Sequence, residues 1–297
     1  MSRKGRALCG ILALAFGIGP ATAGAQRVRS VVPGVPIESD LAPGRVDAWE
    51  VRLSAGEFLH LAMEQNHLDA SVRILSSTGA ELAQADNAAG EDDPVTLSVI
   101  ATRGEILRIE IRLRSAKSAR GQYRLSVDPP RPAAPDDARR IDAERLRADA
   151  DALAARGSAD GSKKALAQYE TTLPVWRAIG DRREEAVTLG RISETLWRLG
   201  DLRQALSRAQ EALELSQCLG ERAAEGAALD RVGVFFSEVG EQQEGLEYLE
   251  AALDIRRAEE NPVEVAETMN NIAVARAAMG EYAEAVSGYT EALKYVR

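Results

Sequence analysis

Leu199-Gly200-Asp201, Val239-Gly240-Glu241 and Met279-Gly280-Glu281 recur at intervals of forty residues in a chain of 297. A fixed period of that size marks stacked supersecondary units, and such arrays usually present binding surfaces rather than reaction centres. The period extends beyond the tripeptides. Ala205, Gly245 and Ala285 each follow the glycine by five positions, and Ala212, Ala252 and Ala292 follow seven further on.

Each unit reads as a helical hairpin. Leu189, Ile192, Leu196 and Leu199 form one apolar stripe at helical spacing. Gly200 ends that helix, because glycine accepts the left-handed conformation of a tight helix terminus. Leu202, Ala205, Leu206, Ala209, Ala212 and Leu213 then make a second stripe, whose alanines allow two helices to approach closely. Leu229, Val232, Phe236 and Val239 repeat the first stripe, and Met269, Ile272 and Met279 repeat it again, with Arg276 at an apolar position. Ile179-Gly180-Asp181-Arg182 and Leu219-Gly220-Glu221-Arg222 join one hairpin to the next. The third such joint is Glu259-Glu260-Asn261-Pro262, where the proline is expected to break the helix. One period earlier, Ala165, Tyr169, Leu173 and Val175 mark a degenerate first unit, with a leading helix from about Asp137 to Arg156 after the start signal Pro135-Asp136.

These residues resemble the tetratricopeptide repeat. Leu189, Ser193, Gly200, Ala205 and Ala212 fill its pattern in one unit; Leu229, Gly233, Gly240 and Ala252 in the next; Met269, Ala273, Gly280, Tyr282, Ala285, Tyr289 and Ala292 in the last. The period exceeds the common thirty-four, so each helix gains nearly a turn. Leu196 and Arg276 stand where the family usually has an aromatic. The resemblance implies a helical solenoid over residues 137–297 that binds a protein or peptide partner.

The N-terminus follows a different logic. Arg3, Lys4 and Arg6 precede an apolar run from Ala7 to about Ile18, and Ala23-Gly24-Ala25 supplies small residues for cleavage. Residues 1–25 therefore read as a signal peptide, with an apolar run too short to span a bilayer comfortably. The mature chain is expected in the periplasm or outside the cell, without a membrane span. Cleavage removes three basic residues and no acidic ones, taking the formal charge from −9 to −12. Such a charge repels nucleic acid and anionic membrane. Cleavage also removes Cys9 and leaves Cys218 alone, expected as a buried thiol at the end of an apolar helix face.

Between residues 26 and 127 the apolar period falls to two. Leu107, Ile109, Ile111 and Leu113 alternate with Arg108, Glu110 and Arg112; Trp49, Val51 and Leu53 with Glu50 and Arg52; Tyr123, Leu125 and Val127 with Arg124 and Ser126. Val95, Leu97 and Val99, then Val72 and Ile74, behave likewise, and glycines at 44, 56, 79, 104 and 121 separate the runs. Short alternating strands with regular turns predict an antiparallel β-sandwich. Gly44, Asp47, Trp49, Val51, Leu53, Ala55-Gly56-Glu57, Asp69, Leu75, Gly79 and the run Gly121 to Val127 resemble the bacterial pre-peptidase C-terminal domain. That resemblance implies an accessory module. A Pro-rich linker at 128–136 then leads to the repeats. The fold class is thus α+β and multidomain, a β-sandwich followed by a helical solenoid. This order of parts also resembles the front half of secreted bacterial proteins that end in a CHAT domain, a caspase-like peptidase fold.

Catalytic chemistry finds no support. A nucleophilic cysteine needs a histidine base, and the two histidines, His60 and His67, lie in the sandwich region, far along the chain from Cys218. Two histidines and one thiol make no zinc site of usual spacing. Asp86, Asn87, Glu91, Asp92 and Asp93 read as a solvated acidic loop or a weak calcium site, without the D-x-D-x-D-G spacing. No cofactor and no metal is expected, and the chain is read as non-catalytic.

The family's concave positions instead carry over to Gly190, Glu194, Trp197 and Arg198, then Asp230, Val234 and Ser237, then Asn270, Val274 and Ala277. Of these, Glu194, Trp197, Arg198, Asp230, Val234, Asn270 and Val274 are the candidate partner-binding residues. Trp197 is either an interface anchor or packing between units. The lysines of the family's carboxylate clamp are replaced by Gly190, Asp230 and Asn270, although Arg191, Arg231 and Asn271 sit one residue along. The array counts about three and a half hairpins. Its last helix carries no polar cap, which suggests either further repeats beyond Arg297 or an apolar face for self-association or a partner.

Overall fold

The computed structural model describes residues 28–65, 68–86, 94–114 and 120–295. The leader 1–25, His67, Asn87 and the acids Glu91, Asp92 and Asp93 lie outside the described residues. Among the described residues ten strands come first: β1 (Val28–Ser30), β2 (Ile37–Leu41), β3 (Val46–Leu53), β4 (Glu57–Gln65), β5 (Ala70–Leu75), β6 (Glu81–Asp86), β7 (Val95–Ile100), β8 (Glu105–Leu113), β9 (Gly121–Val127) and β10 (Arg131–Pro132). Eight helices follow: α1 (Pro135–Ala154), α2 (Ala159–Ile179), α3 (Arg182–Arg198), α4 (Leu202–Leu219), α5 (Arg222–Glu238), α6 (Gln242–Ala258), α7 (Pro262–Ala278) and α8 (Tyr282–Tyr295).

The strands form two sheets, one in the order β1-β3-β8-β5-β6, the other running β10-β4-β9-β2 with β7 on the free side of β4. Every described pairing is antiparallel except β1 with β3. The alternation predicted from sequence supplies the core between them, with Leu53, Leu59, Leu61, Met63, Ile74, Leu107 and Ile109 buried together. A polar node pins one side of this core. Trp49 Nε1 donates to Tyr123 Oη at 3.0 Å, and Tyr123 donates to Asp47 Oδ2 at 2.8 Å. Asp47 also accepts from Arg29, Ser39 and Arg45. These donors hold its carboxyl below the usual range although burial pushes the other way.

The glycine joints do two jobs at once. Gly180, Gly200, Gly220, Gly240 and Gly280 all have positive φ, from 70 to 98°. After Gly200 the next amide, that of Asp201, bonds back to Leu196 O at 3.0 Å, and Glu241 and Glu281 repeat this closure. Asp181 and Asp201 then start the following helix, their side chains accepting from Glu184 N and Gln204 N. The expectation for the third joint needs correction. Glu260 itself adopts φ 56° and closes α6 in the same way, through Asn261 N to Arg256 O. Pro262 begins α7 rather than ending α6, since its ring φ suits a first helical position.

The first unit is a full hairpin, α1 against α2, so four hairpins lie among the described residues. Its period was hard to read because part of the inner face of α1 is charged. Ala143, Ala150 and Ala154 are buried, and so are Glu144, Arg147 and Asp151. Glu144 and Arg147 face β7, whose outward residues Thr96 and Ser98 are buried beneath the solenoid, while Asp151 accepts from Tyr169 Oη on α2. Thr96 donates to Glu184 Oε1 at 2.6 Å, Ser98 donates to Glu144 Oε1 at 2.8 Å, and Arg147 Nη2 donates to Thr96 Oγ1 at 3.1 Å. Arg140 reaches Asp181 at 2.5 Å, and the Pro-rich segment adds Arg131, which grips Asp137 with two bonds of 2.7 and 2.6 Å. The sandwich and the solenoid are therefore tied by a polar interface.

That interface contains a titrating group. Burial first, and then the neighbouring Glu184 carboxylate, push Glu144 up to about 7. Arg140 and Arg147 from α1 and Ser98 from β7 only partly offset this. The native state therefore holds a proton that the unfolded chain has released, and stability falls as pH rises from about 4.5 to 7. His60, held below its usual pKa mainly by burial, acts in the opposite direction below pH 6.5. Glu144→Gln keeps the acceptor for Ser98 and isolates the Glu144 contribution. The variant should gain roughly 1–2 kcal/mol at pH 8 and nothing near pH 4.5, read from urea melts at both values. A constant offset at both pH values would contradict the assignment.

Candidate functional site

Helices α3, α5 and α7 stack side by side, and their inner faces line a groove of about 930 Å³. Trp197 on α3 and Val234 and Phe235 on α5 form its apolar floor. The Trp197 and Phe235 rings lie 6.3 Å apart with planes 22° from parallel, so Trp197 both packs between units and borders the groove. Small residues of α5, Ala223, Ala224 and Ala227, keep the N-terminal part of the groove open.

The polar lining is held from behind. Asp230 accepts from Asn271 Nδ2 at 2.9 Å and from Arg256 Nη1 at 3.2 Å. Arg256 comes from α6, is almost wholly buried, and also bonds Thr268 Oγ1 and pairs with Glu264 at 3.4 Å. Arg183 pairs with Glu221 at 2.7 Å across the N-termini of α3 and α5. Arg231 lies over Gly190, its Nη1 3.0 Å from where a β-carbon would stand, so the glycine makes room for that guanidinium. Beyond these, the groove reaches the sandwich: Glu64 and Gln65 at the end of β4 and Pro94 before β7 line its remaining side.

Glu194, Trp197, Asp230 and Val234 are thus brought together on the groove. Arg198 is exposed beside it and pairs with Glu194 at 3.1 Å. Asn270 and Val274 are exposed outside the lining, whereas Asn271 is part of it. Arg191 turns away from any ligand: it is 5% exposed and sits 3.7 Å from Asp151. Sequence reasoning missed Arg256 and the sandwich residues. For Arg256 a signal exists, since one period earlier the position holds the buried Ser216, so an arginine there must cross toward the inner face. No comparable signal points to Glu64 or Pro94, which depend on how two domains dock.

Cys218 is exposed, against the expectation of burial. The buried stripe of α4 runs through Ala205, Ala209, Ala212, Leu213 and Ser216. Two residues past Ser216 is roughly 200° around the helix, so Cys218 points outward. His60 is half-buried at the domain interface, with Nδ1 3.0 Å from Ser98 Oγ. Because Ser98 donates to Glu144 in this arrangement, the serine is the middle member. A nucleophile triad needs histidine in the middle, so this relay is structural. Asp86 pairs with Arg114 at 3.3 Å. No helix among the described residues is long and apolar enough to cross a membrane.

An array of helical hairpins with a groove on its inner face defines a helical repeat solenoid. Residues 158–217 and 225–297 match the family model of the tetratricopeptide repeat, so the helical part is a tetratricopeptide-like solenoid. No curated protein matches the sequence. Among solved structures, the chain is similar to BtubC from P. vanneervenii, at 21% identity and a TM-score of 0.48 over 52% of this chain and 63% of that one. It is also similar to the apo form of RapI, at 14% identity and 0.48 over 52% and 55%. The chain thus spans less than two thirds of either. A further similarity is to the pre-peptidase C-terminal domain of a collagenase from Bacillus anthracis, at 10% identity and 0.31 over 35% and 96%.

Proposed function

We propose that the chain is an exported, non-catalytic scaffold that holds a protein or peptide segment in the groove of its solenoid. The observation that carries this reading is the groove itself, open and lined by alternate helices, with Trp197 and Phe235 on its floor. Trp197 is half-buried above the fully buried Phe235, and a partly exposed aromatic in such a setting is the usual anchor of recognition. The leader-like residues Arg3 to Ala25 support export. Peptides selected on the mature chain from a random display library should bind at least tenfold more weakly to Trp197→Ala, the loss of about 1.4 kcal/mol or more that an anchor entails. Circular dichroism checks that the variant stays folded. Unchanged affinity would remove the groove from consideration. Export is tested separately by fractionation and N-terminal sequencing, with a mature end near Gln26 expected.

A second reading makes these domains the sensing front end of a secreted caspase-like peptidase. The order of leader, sandwich and long-period repeats favours it. The coding sequence downstream of codon 297 decides: an in-frame His and Cys motif supports it, and a stop codon there removes it.

A further inference from the structure

The groove has a charge, and it has a wall that does not belong to the repeats. Eight carboxylates line it against four guanidiniums. The guanidiniums are already committed: Arg183 to Glu221, Arg222 to Glu225, and Arg256 to Asp230 and Glu264. Arg231 also has a partner within the protein. An incoming anion would therefore find cations that are already neutralised. Several of the carboxylates are paired as well, among them Glu194, Glu221, Asp230 and Glu264, but those at the mouth of the groove are not matched in the same way. Among the described residues, neither Glu259 nor Glu260 forms an ion pair, and both stand at the turn between α6 and α7 where the groove opens. Burial pushes Glu259 up from its usual pKa, and the more distant charges of Arg222 and Arg256 only partly offset it. Across from this turn lies Glu64, exposed on β4 of the sandwich. It is close enough to the groove's Arg183 for the two to interact electrostatically.

The position of Glu64 is fixed rather than incidental. Thr96 to Glu184, Ser98 to Glu144 and Arg147 to Thr96 lock β7 onto α1 and α3, and β4 pairs with β7 from Phe58 to Met63. The last residues of β4 are thereby held beside the N-termini of α3 and α5. The helix N-termini themselves carry partial positive charge, but acidic residues in or just before their first turns, such as Glu221, Glu260 and Glu264, offset it.

We propose that the groove takes a basic peptide segment, with lysine or arginine side chains, and that the β-sandwich supplies one of its walls through Glu64. This rests on the groove reading above and specifies its ligand. An apolar floor between acidic walls suits a segment that alternates basic and small apolar residues, because the floor buries the apolar side chains and the walls steer the cations.

The test uses two labelled octapeptides, one alternating Lys and Ala and one alternating Glu and Ala, and fluorescence anisotropy with the mature chain at low and moderate salt. The Lys–Ala peptide should bind at least tenfold more tightly and weaken as salt rises. Glu259→Lys with Glu260→Lys should cost about tenfold, and Glu64→Lys alone at least threefold. All three sites are exposed, so the fold should survive. Charge reversal at Glu284 and Glu291 on α8, outside the groove, should leave binding unchanged. Equal binding of the two peptides overturns the charge assignment, and an equal loss from the α8 reversals reduces the effect to general surface charge. An unaffected Glu64→Lys overturns the part assigned to the sandwich. If library-selected peptides depend on Trp197 yet are not basic, this inference fails while the groove reading stands.

Discussion

Arg147→Ala is expected to destabilise the protein by about 3–5 kcal/mol, the usual consequence of stranding buried charges. Arg147 is 6% exposed and sits at the meeting point of three elements. Its guanidinium lies 3.4 Å from Glu184 on α3 and 3.5 Å from Asp151 on its own helix, and it donates to Thr96 on β7. Glu144, one turn away on the same face, adds a third carboxylate. Arg191 and Arg140 remain after the substitution, but Arg191 is 3.7 Å from Asp151 and Arg140 is engaged with Asp181. Glu184 would then be buried against Glu144 with the Thr96 hydroxyl and the more distant Arg183 charge for support. Urea unfolding reads the loss, and the Pro-rich stretch at 128–134 should become protease-sensitive as the sandwich separates from the solenoid. Replacing both partners separates the charge from the packing: Arg147→Met with Glu184→Met should cost less than Arg147→Ala alone, since apolar substitutes for a buried pair are often near neutral. A single-variant loss below about 1 kcal/mol would mean that water reaches the cluster, contrary to the burial seen here.

This cluster also marks the limit of what the amino-acid pattern conveys. The forty-residue period makes the hairpins legible, because Gly200, Gly240 and Gly280 need positive φ and Asp181 and Asp201 need to cap, and few other residues do both. Alternation makes the sandwich legible for a similar reason, since Leu107, Ile109 and Ile111 must share one face. Thr96 and Ser98 are a different case. On pattern they are the outward residues of a half-buried strand, and only the docking of α1 buries them. Glu110 likewise looks solvated in sequence but is buried, bonded to Arg73 at 2.6 Å. A one-dimensional pattern reports which face of an element is apolar. It does not report when a polar face is covered by another domain, and the wall at Glu64 was invisible for that reason. On the inner face, positions one apart on a helix differ by about 100°, so reading Asn270 for Asn271 moves a side chain out of the groove.

The second large effect concerns the third hairpin, where sequence logic and geometry predict opposite signs for one substitution. Five residues after the joint glycine the units carry Ala205, Gly245 and Ala285, so Gly245→Ala restores the repeat pattern and removes a mid-helix glycine. On helix propensity alone it should stabilise by about 1 kcal/mol. In the folded chain a β-carbon at Gly245 would stand 2.7 Å from the carbonyl oxygen of Gly233 and would press on the Ser237 hydroxyl, which is bonded to that same carbonyl. A β-carbon at Gly233 would in turn lie 2.8 Å from Gly245 O and 2.7 Å from Leu249 Cγ. Helices α5 and α6 therefore cross backbone to backbone at this point, and a carbonyl cannot swing aside as a side chain can. The expected result is a net loss of about 1–3 kcal/mol for Gly245→Ala, as for overpacking elsewhere. In the fourth hairpin the same two positions hold Ala273 and Ala285, both buried, so α7 and α8 accommodate the methyl groups that α5 and α6 do not. Adding Gly233→Ala to Gly245→Ala should cost less than the sum of the two, because the first methyl already forces the helices apart. Val234 and Phe235, next to Gly233 on α5, would move with that separation, so peptide affinity at the groove should fall alongside stability. A Gly245→Ala protein that melts higher than the parent would show that the helices separate at no cost, and would leave propensity in control of this site.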